Sequence, residues 1–193
     1  MIITQKVILA SGSPRRKALF HLLVPEFEVR KSDIQESIDP DKSPTENVIA
    51  LSYQKAQYVA RHNSEGLVIG VDTVVVLDDK IMGKPHDPPE ALTMLRALSG
   101  REHIVFTGFT ILELPGERRY SDVEETRVRF RTLEDSEIQN YVRSGVPLDK
   151  AGAYGIQDDF GAVFVEGISG CFYNVVGLPL TKLYVSLRNF VGQ

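Results

Sequence analysis

The sequence has few of the residues that build disulfides or soft-metal sites. Cys171 is the single cysteine among 193 residues, which excludes an intramolecular disulfide and a thiolate-rich metal site. We therefore expect a reducing, cytoplasmic setting. The four histidines are scattered and lack a metal-binding spacing such as H-E-x-x-H. Any metal site must then be built from carboxylates, which favours Mg²⁺ or Mn²⁺.

Long apolar runs and an excess of positive charge are also absent. No run approaches the ~20 apolar residues that span a bilayer, and the amino-terminal residues are too interrupted for a signal peptide, so we expect no membrane partner. The net charge of −4 argues against a protein that coats nucleic acid. The remaining composition, with 42% hydrophobic and 25% charged residues, is that of an ordinary globular protein.

Predicted strands and helices alternate along the chain. Apolar, β-branched runs predict strands, the longest from Leu67 to Asp79, and the clearest helix follows a capping box at Ser43. Alternating segments around Pro115 predict a hairpin, and residues 162–178 predict two strands joined by a glycine turn. The pattern predicts an α/β fold with a long mixed central sheet and flanking helices. No repeat or linker interrupts it, so we expect one domain over residues 1–193.

The stretch LASGSPRRK, residues 9–17, places cations where a helix disfavours them. Ser13 is a predicted N-cap followed by proline, so Arg15, Arg16 and Lys17 fall in the first helical turn, at the positive end of the helix dipole. Hydroxyls, backbone N–H groups and guanidinium groups together suit an oligophosphate. The alternative is that the three side chains point into water, and these residues alone favour neither interpretation.

Two further polar positions lie in apolar or rigid surroundings. Asp72 interrupts the run VIGVDTVVVL, where a carboxylate is costly to bury unless it is paired or binds a cation; a bulge at Gly70 would instead turn it to solvent. Lys84 lies between glycine and proline, where a rigid backbone suits a phosphate contact, although a plain turn lysine fits as well. Lys55 lies within a predicted helix, and its pattern alone predicts a solvated lysine.

The segment DKAGAYGIQ, which ends at Gln157, is rich in glycine and alanine. Such a composition lets a ligand approach the backbone closely, and the Gln157 amide has both a donor and an acceptor for a base edge. The alternative interpretation is a flexible loop.

Six motifs occur in order over nearly the whole chain: LASGSPRRKALF, SDIQES, GVDTVVVLD, GKP, DKAGAYGIQ and NVVGLPL. Together they resemble the Maf family, the septum-formation-inhibitor-like nucleotide pyrophosphatases. The resemblance implies a cytoplasmic enzyme, expected to be a homodimer, that hydrolyses nucleoside triphosphates to the monophosphate and pyrophosphate with a divalent cation. It also implies a fold similar to that of inosine triphosphate pyrophosphatase, with two lobes around a cleft.

The resemblance also implies a role for each matching residue. Asp72 would be the general base, or the metal ligand that delivers the attacking water, and Glu36 would help to bind Mg²⁺ or Mn²⁺. The implied substrate-binding residues are Ser11, Ser13, Arg15, Arg16, Lys55, Thr73, Lys84 and Gln157, the last of them at the base.

Three of these residues match one branch of the family. Arg15, Thr73 and Gln157 agree with the branch that resembles dTTP/UTP pyrophosphatases, and differ from the branch that favours 7-methyl-GTP. One departure is a small insertion beside the predicted base contact, where residues 158–160 precede a glycine that in the family follows the glutamine directly. We therefore predict hydrolysis of dTTP and UTP, with modified pyrimidine nucleotides as further candidates.

Two other functions fit parts of the pattern. A regulatory module that binds nucleotide and inhibits cell division through a protein partner would need the anion site but not Asp72. A nucleic-acid-binding protein could use the basic run, but the acidic net charge and the lack of interleaved aromatic residues oppose it.

Overall fold

One mixed sheet organises the computed structural model, which describes residues 3–116, 118–157 and 160–192. Its strands within those ranges are β1 (Val7–Ala10), β2 (Glu28–Val29), β3 (Gly66–Leu77), β4 (Lys80–Met82), β5 (Glu102–Leu114), β6 (Arg119–Phe130) and β7 (Val165–Ser169). Their order is β2-β1-β3-β5-β6-β7, with β4 paired to β3. Strand β1 is parallel to β2 and β3, whereas β4 is antiparallel to β3 and β7 to β6, so the predicted mixed sheet is confirmed.

The helices flank these strands, and two of them begin at the caps that the sequence predicts. They are α1 (Pro14–His21), α2 (Pro44–Ala60), α3 (Pro88–Leu98), α4 (Asp135–Arg143), α5 (Phe172–Val176) and α6 (Leu180–Phe190). Ser13 caps α1, and Ser43 and Glu46 form the predicted capping box of α2. In the described ranges, no helix is both long and apolar enough to cross a membrane.

The sequence predicts two strands over residues 162–178, and the prediction of the second strand is wrong. Strand β7 forms, but the apolar residues after it form the short helix α5. The side-chain amide of Asn174 in α5 donates to the carbonyl of Val105 and to Oγ1 of Thr126, each at 3.0 Å. These buried polar contacts require a helical turn here, and they override the strand propensity of the neighbouring apolar residues.

The chain divides into two compact units, in line with the predicted two lobes. The first contains residues 1–72, 107–124 and 177–193, and the second contains residues 73–106 and 125–176. Strands β3, β5 and β6 contribute residues to both units. The predicted cleft and the predicted single domain stay predictions.

In the first unit, helices cover both faces of the sheet. Successive side chains of a strand point to opposite faces. Val7 and Leu9 of β1 pack in one apolar cluster with α1 and α6, whereas Ile8 and Ala10 pack in another with α2. Helix α2 is thereby fixed against β1 and β3.

The second unit has its own core. Helices α3 and α4 contribute buried residues to a cluster that contains the ends of β3, β5 and β6. Phe130 of β6 belongs to this cluster and meets the rings of Tyr154 and Phe164 edge to face. This core anchors the segment that carries the predicted base contact.

Candidate active site

Gly70 allows helix α2 to lie directly against strand β3. A Cβ atom at Gly70 would lie 2.0 Å from the backbone oxygen of Ser52 and 2.8 Å from the backbone nitrogen of Ala56, closer than atoms can pack. Asp72 is buried, so the alternative in which a bulge at Gly70 turns it to solvent is wrong. Lys55 lies between these two helix residues, and Asp72 lies two residues beyond the glycine. The close approach therefore brings Lys55 and Asp72 together.

Lys55 and Asp72 form a buried ion pair. Nζ of Lys55 donates to Oδ1 of Asp72 at 2.5 Å, and the two residues are only 4% and 5% exposed. The expectation of a solvated Lys55 is wrong, because this face of α2 packs on β3. The desolvation that makes a buried charge costly is offset here by an opposite charge in direct contact.

Glu36 adds a second carboxylate to the same ammonium group. Its Oε1 lies 3.0 Å from Nζ of Lys55, and its side chain is 42% exposed. The three groups together carry one net negative charge, with one carboxylate buried and the other reaching solvent. The Glu36 carboxylate can therefore contact a cation from solution.

Asn47 anchors the irregular segment that carries Glu36. It is 2% exposed, and its Oδ1 accepts the backbone N–H of Asp39 at 2.8 Å. Its Nδ2 contacts the carbonyl oxygens of Asp39, Lys42 and Ser43. Asp39 follows Glu36 by three residues, so Asn47 fixes the path of this segment. Sequence reasoning missed this role, because an asparagine in the first turn of a helix gives no signal beyond capping.

The predicted anion-binding turn forms at the start of α1. Oγ of Ser13 accepts a hydrogen bond from the backbone N–H of Arg16 at 3.3 Å. Oγ of Ser11 accepts one from the backbone N–H of Ser13 at 3.2 Å. Ser11 is buried and Arg15 and Arg16 are half-buried, whereas Lys17 is exposed, so the alternative of side chains that point into water fits Lys17 and not the two arginines. The hydroxyls and guanidinium groups of this turn are suited to an anion.

The Arg16 side chain ties this turn to strand β3. Its Nε donates to the carbonyl of Gly177 at 2.9 Å and its Nη1 to the carbonyl of Val71 at 3.0 Å. Burial lowers the pKa of the Arg16 guanidinium, while the charges of Asp72 and Glu36 act in the opposite direction. Because Val71 directly precedes Asp72, Arg16 also places positive charge next to the buried carboxylate.

The other predicted site residues belong to the second unit. Thr73 and Gln157 are half-buried, and Lys84 is exposed. The backbone N–H of Gly152 donates to the carbonyl of Gly83 at 3.0 Å. This bond joins the turn that carries Lys84 to the segment that leads to Gln157.

That segment packs closely against its neighbours, which favours a fixed path over the alternative of a flexible loop. Gly152 has φ +67°, and a Cβ atom there would lie 2.9 Å from the side chain of Val75. Residues 151–153 form a 3₁₀ turn, and Tyr154 is buried. Asp158 and Asp159, which belong to the insertion noted above, lie outside the described residues.

The donor set of the first unit suits a divalent cation bound together with a phosphate. Within the described part of the chain, no group of three or more histidine, cysteine, aspartate or glutamate residues could hold a metal ion. Asp72 and Glu36 are two carboxylates that converge on one point, the Lys55 ammonium. Mg²⁺ at phosphate sites commonly binds one or two carboxylates, with the other ligands supplied by water and substrate phosphates. The residues present therefore fit Mg²⁺ or Mn²⁺.

These observations define an α/β protein in which a buried carboxylate and a shared lysine lie beside a helix start suited to anions. The chain belongs to the family described as Maf-like protein, which matches residues 6–190. It is 49% identical over 185 residues to the dTTP/UTP pyrophosphatase of Carboxydothermus hydrogenoformans, covering 96% of this chain and 98% of the relative. It is 46% identical over 186 residues to the dTTP/UTP pyrophosphatase of Bacillus cereus strain B4264, covering 96% of each.

Among solved structures, the Staphylococcus aureus Ham1 protein is similar with a TM-score of 0.45 and 12% identity, covering 65% of this chain and 72% of that one.

Proposed function

We propose that this chain is a nucleoside triphosphate pyrophosphatase that hydrolyses dTTP and UTP to the monophosphate and pyrophosphate. The observation that carries the proposal is the buried pair of Asp72 and Lys55 at 2.5 Å, in a chain 46–49% identical to relatives named dTTP/UTP pyrophosphatases. The branch residues Arg15, Thr73 and Gln157 support the same substrates. The cytoplasmic setting, the homodimer and the absence of nucleic-acid or membrane partners are supported by the sequence patterns and the family resemblance alone.

The reaction needs a group that takes a proton from water and positive charge that stabilises the departing pyrophosphate. A carboxylate oxygen of Asp72 accepts the proton as water attacks the α-phosphorus. Lys55 holds that carboxylate in place through its Oδ1 contact. Lys55 and Lys84 neutralise phosphate charge, and Ser11, Ser13, Arg15 and Arg16 bind the triphosphate.

Asp72 and Glu36 would hold the divalent cation, Mg²⁺ or Mn²⁺. When bound, the cation supplies positive charge to the phosphate oxygens and favours ionisation of the attacking water. Lys55 keeps the two carboxylates turned toward each other before the cation arrives, because its Nζ contacts both. Asn47 supports this arrangement by fixing the segment of Glu36.

The test is a screen for pyrophosphate release over normal and modified nucleoside triphosphates, with Mg²⁺ and with Mn²⁺, and with products identified by chromatography. We expect release from dTTP and UTP with formation of the monophosphate. Activity confined to 7-methyl-GTP would support the proposed reaction type but overturn the assignment of dTTP and UTP as substrates. If folded protein turned over no nucleotide, the proposal would fail in favour of the nucleotide-binding regulatory module.

Replacement of Arg15 with alanine is expected to raise KM for dTTP roughly ten- to a hundredfold, the range for a lost charge-assisted hydrogen bond. We expect a smaller change in kcat, because Arg15 binds the triphosphate and does not move a proton. Steady-state kinetics with saturating cation measures both constants. The matched control is Arg143→Ala, which removes an exposed guanidinium from the last turn of α4. An unchanged KM in Arg15→Ala would remove this residue from the binding site.

A further inference from the structure

His103 is a buried residue of β5 that the proposed mechanism does not use. It is 2% exposed, and its Nε2 lies 2.8 Å from the hydroxyl of Tyr154. In the described part of the chain, its Nδ1 has no hydrogen-bond partner. Burial lowers the pKa of His103 to about 4, so the imidazole is neutral at physiological pH. Among the described residues, the hydrogen bond to Tyr154 is thus the one polar contact of this buried ring, and the neutral imidazole makes it.

Packing fixes both partners of this hydrogen bond. The ring centroid of Phe130 lies 5.0 Å from that of His103 and 4.7 Å from that of Tyr154, in edge-to-face contacts. The rings of His103 and Tyr154 meet in the same way at 5.3 Å. Three rings in mutual contact restrict the position of the tyrosine ring, and the imidazole nitrogen contacts its hydroxyl. The cluster therefore fixes Tyr154 by shape as well as by a polar contact.

Tyr154 lies in the middle of the segment that leads to Gln157. The backbone of this segment is held on both sides of the tyrosine: Gly152 donates to the carbonyl of Gly83 at 3.0 Å, and the N–H of Gly155 donates to the hydroxyl of Tyr141 at 3.3 Å. The side chain of Tyr154 provides the third attachment, and Gln157 follows three residues later. The contact between His103 and Tyr154 is therefore one of three described attachments of the backbone that leads to Gln157.

We propose that His103 is a positioning residue for nucleobase recognition, which acts by holding Tyr154 and, through it, the backbone that presents Gln157. The inference rests on the proposed function, because the family resemblance assigns Gln157 to the base. It predicts that His103 affects how tightly and how selectively a nucleotide binds, and has little effect on the chemical step. His103 itself touches neither the substrate nor the reacting atoms.

The first measurement is hydrogen–deuterium exchange over residues 150–157 without nucleotide. The variant His103→Phe keeps a flat ring in the cluster and removes the nitrogen that contacts Tyr154. We expect faster exchange in this segment, with the strands of the first unit unchanged. His103→Gln retains a side-chain amide that can reach the hydroxyl, and we expect it to restore part of the protection. Unchanged exchange in His103→Phe would overturn the inference.

The second measurement is steady-state kinetics with UTP and with CTP. We expect His103→Phe to raise KM for UTP roughly three- to tenfold, as expected for one lost neutral hydrogen bond, with kcat within about twofold of the wild type. The ratio of kcat/KM for UTP over CTP should fall. Tyr154→Phe removes the same bond from its other end, so the double variant should be no worse than either single variant.

A control separates positioning from general loss of stability. Leu95→Ala removes apolar atoms from the same core of the second unit and leaves the hydrogen bond between His103 and Tyr154 intact. We expect it to lower Tm without changing KM or base selectivity. An equal rise of KM in Leu95→Ala, or additive effects of His103→Phe and Tyr154→Phe, would overturn the inference.

These outcomes distinguish the inference from the proposed function. No turnover of any nucleotide by the wild-type protein would overturn the proposed function, and with it the role of His103 in base recognition. Turnover of UTP with an unchanged KM and unchanged selectivity in His103→Phe would overturn this inference alone.

Discussion

Replacing Asp72 with asparagine is expected to lower kcat for dTTP by about 10²- to 10⁴-fold, the usual contribution of a general base. Asparagine has the size of aspartate and its oxygen can still accept a hydrogen bond from Lys55, but its amide cannot take a proton from water. We expect the fold to persist, because Lys55 keeps Glu36 as a partner, with Oε1 3.0 Å from Nζ. Nucleotide binding should survive better than turnover, since the proposed contacts of Ser11, Ser13, Arg15 and Arg16 with the triphosphate are unaltered and the asparagine oxygen and Glu36 can still contact the cation.

The measurement pairs single-turnover kinetics with thermal unfolding and with calorimetric titration of dTTP. Asp135→Asn is the matched control, because Asp135 is an exposed carboxylate paired with Arg96 on the surface of the second unit. That control should retain wild-type turnover. Full activity in Asp72→Asn would remove Asp72 from the mechanism. Loss of the folded state in Asp72→Asn would mean instead that the buried charge is required for structure.

Gly70→Ala is expected to give the largest loss of stability. The added methyl group would lie 2.0 Å from the backbone oxygen of Ser52, and a backbone atom of a packed helix cannot rotate away as a side chain can. Helix α2 must therefore shift away from β3. We expect the free energy of unfolding to fall by about 3 kcal/mol, the upper end of the usual range for overpacked cores. For a chain of this length we expect Tm to fall by roughly 6–12 °C. The shift would also separate Lys55 from Asp72, so activity should fall together with stability.

The test compares the urea midpoints of unfolding of Gly70→Ala and of the control variant Gly83→Ala. A Cβ atom at Gly83 would meet no atom within 4 Å, and Gly83 is not among the glycines with positive φ. The control therefore tests the same chemical change without the clash, and its midpoint should stay near that of the wild type. A midpoint for Gly70→Ala equal to that of Gly83→Ala would show that α2 does not rest on β3 as closely as described.

The local features of the fold were predictable because they depend on neighbouring residues. The caps at Ser13 and Ser43 and the long strand β3 follow from short patterns, and the structure has all three. The prediction of a strand after β7 was wrong because the structure there depends on residues that are distant in the sequence. Its residues have strand propensity, but Asn174 makes buried hydrogen bonds to residues 48 and 69 positions away, and those contacts select a helix.

The sequence by itself determined the α/β class, the family and the list of candidate site residues. Helix caps, hydrophobic periodicity and motifs each depend on residues that are close together in the sequence. Only the tertiary structure decided which candidates touch. Lys55 looked like a solvated helix lysine, yet it is buried against Asp72, since Gly70 lets α2 approach β3. Asn47 and His103 gave no sequence signal, because their roles lie in contacts with Asp39 and Tyr154. The physical reason is that burial and ion pairing depend on which helices and strands pack against each other in the folded chain. A local sequence pattern shows only which face of a helix or strand is apolar, and not what packs against it.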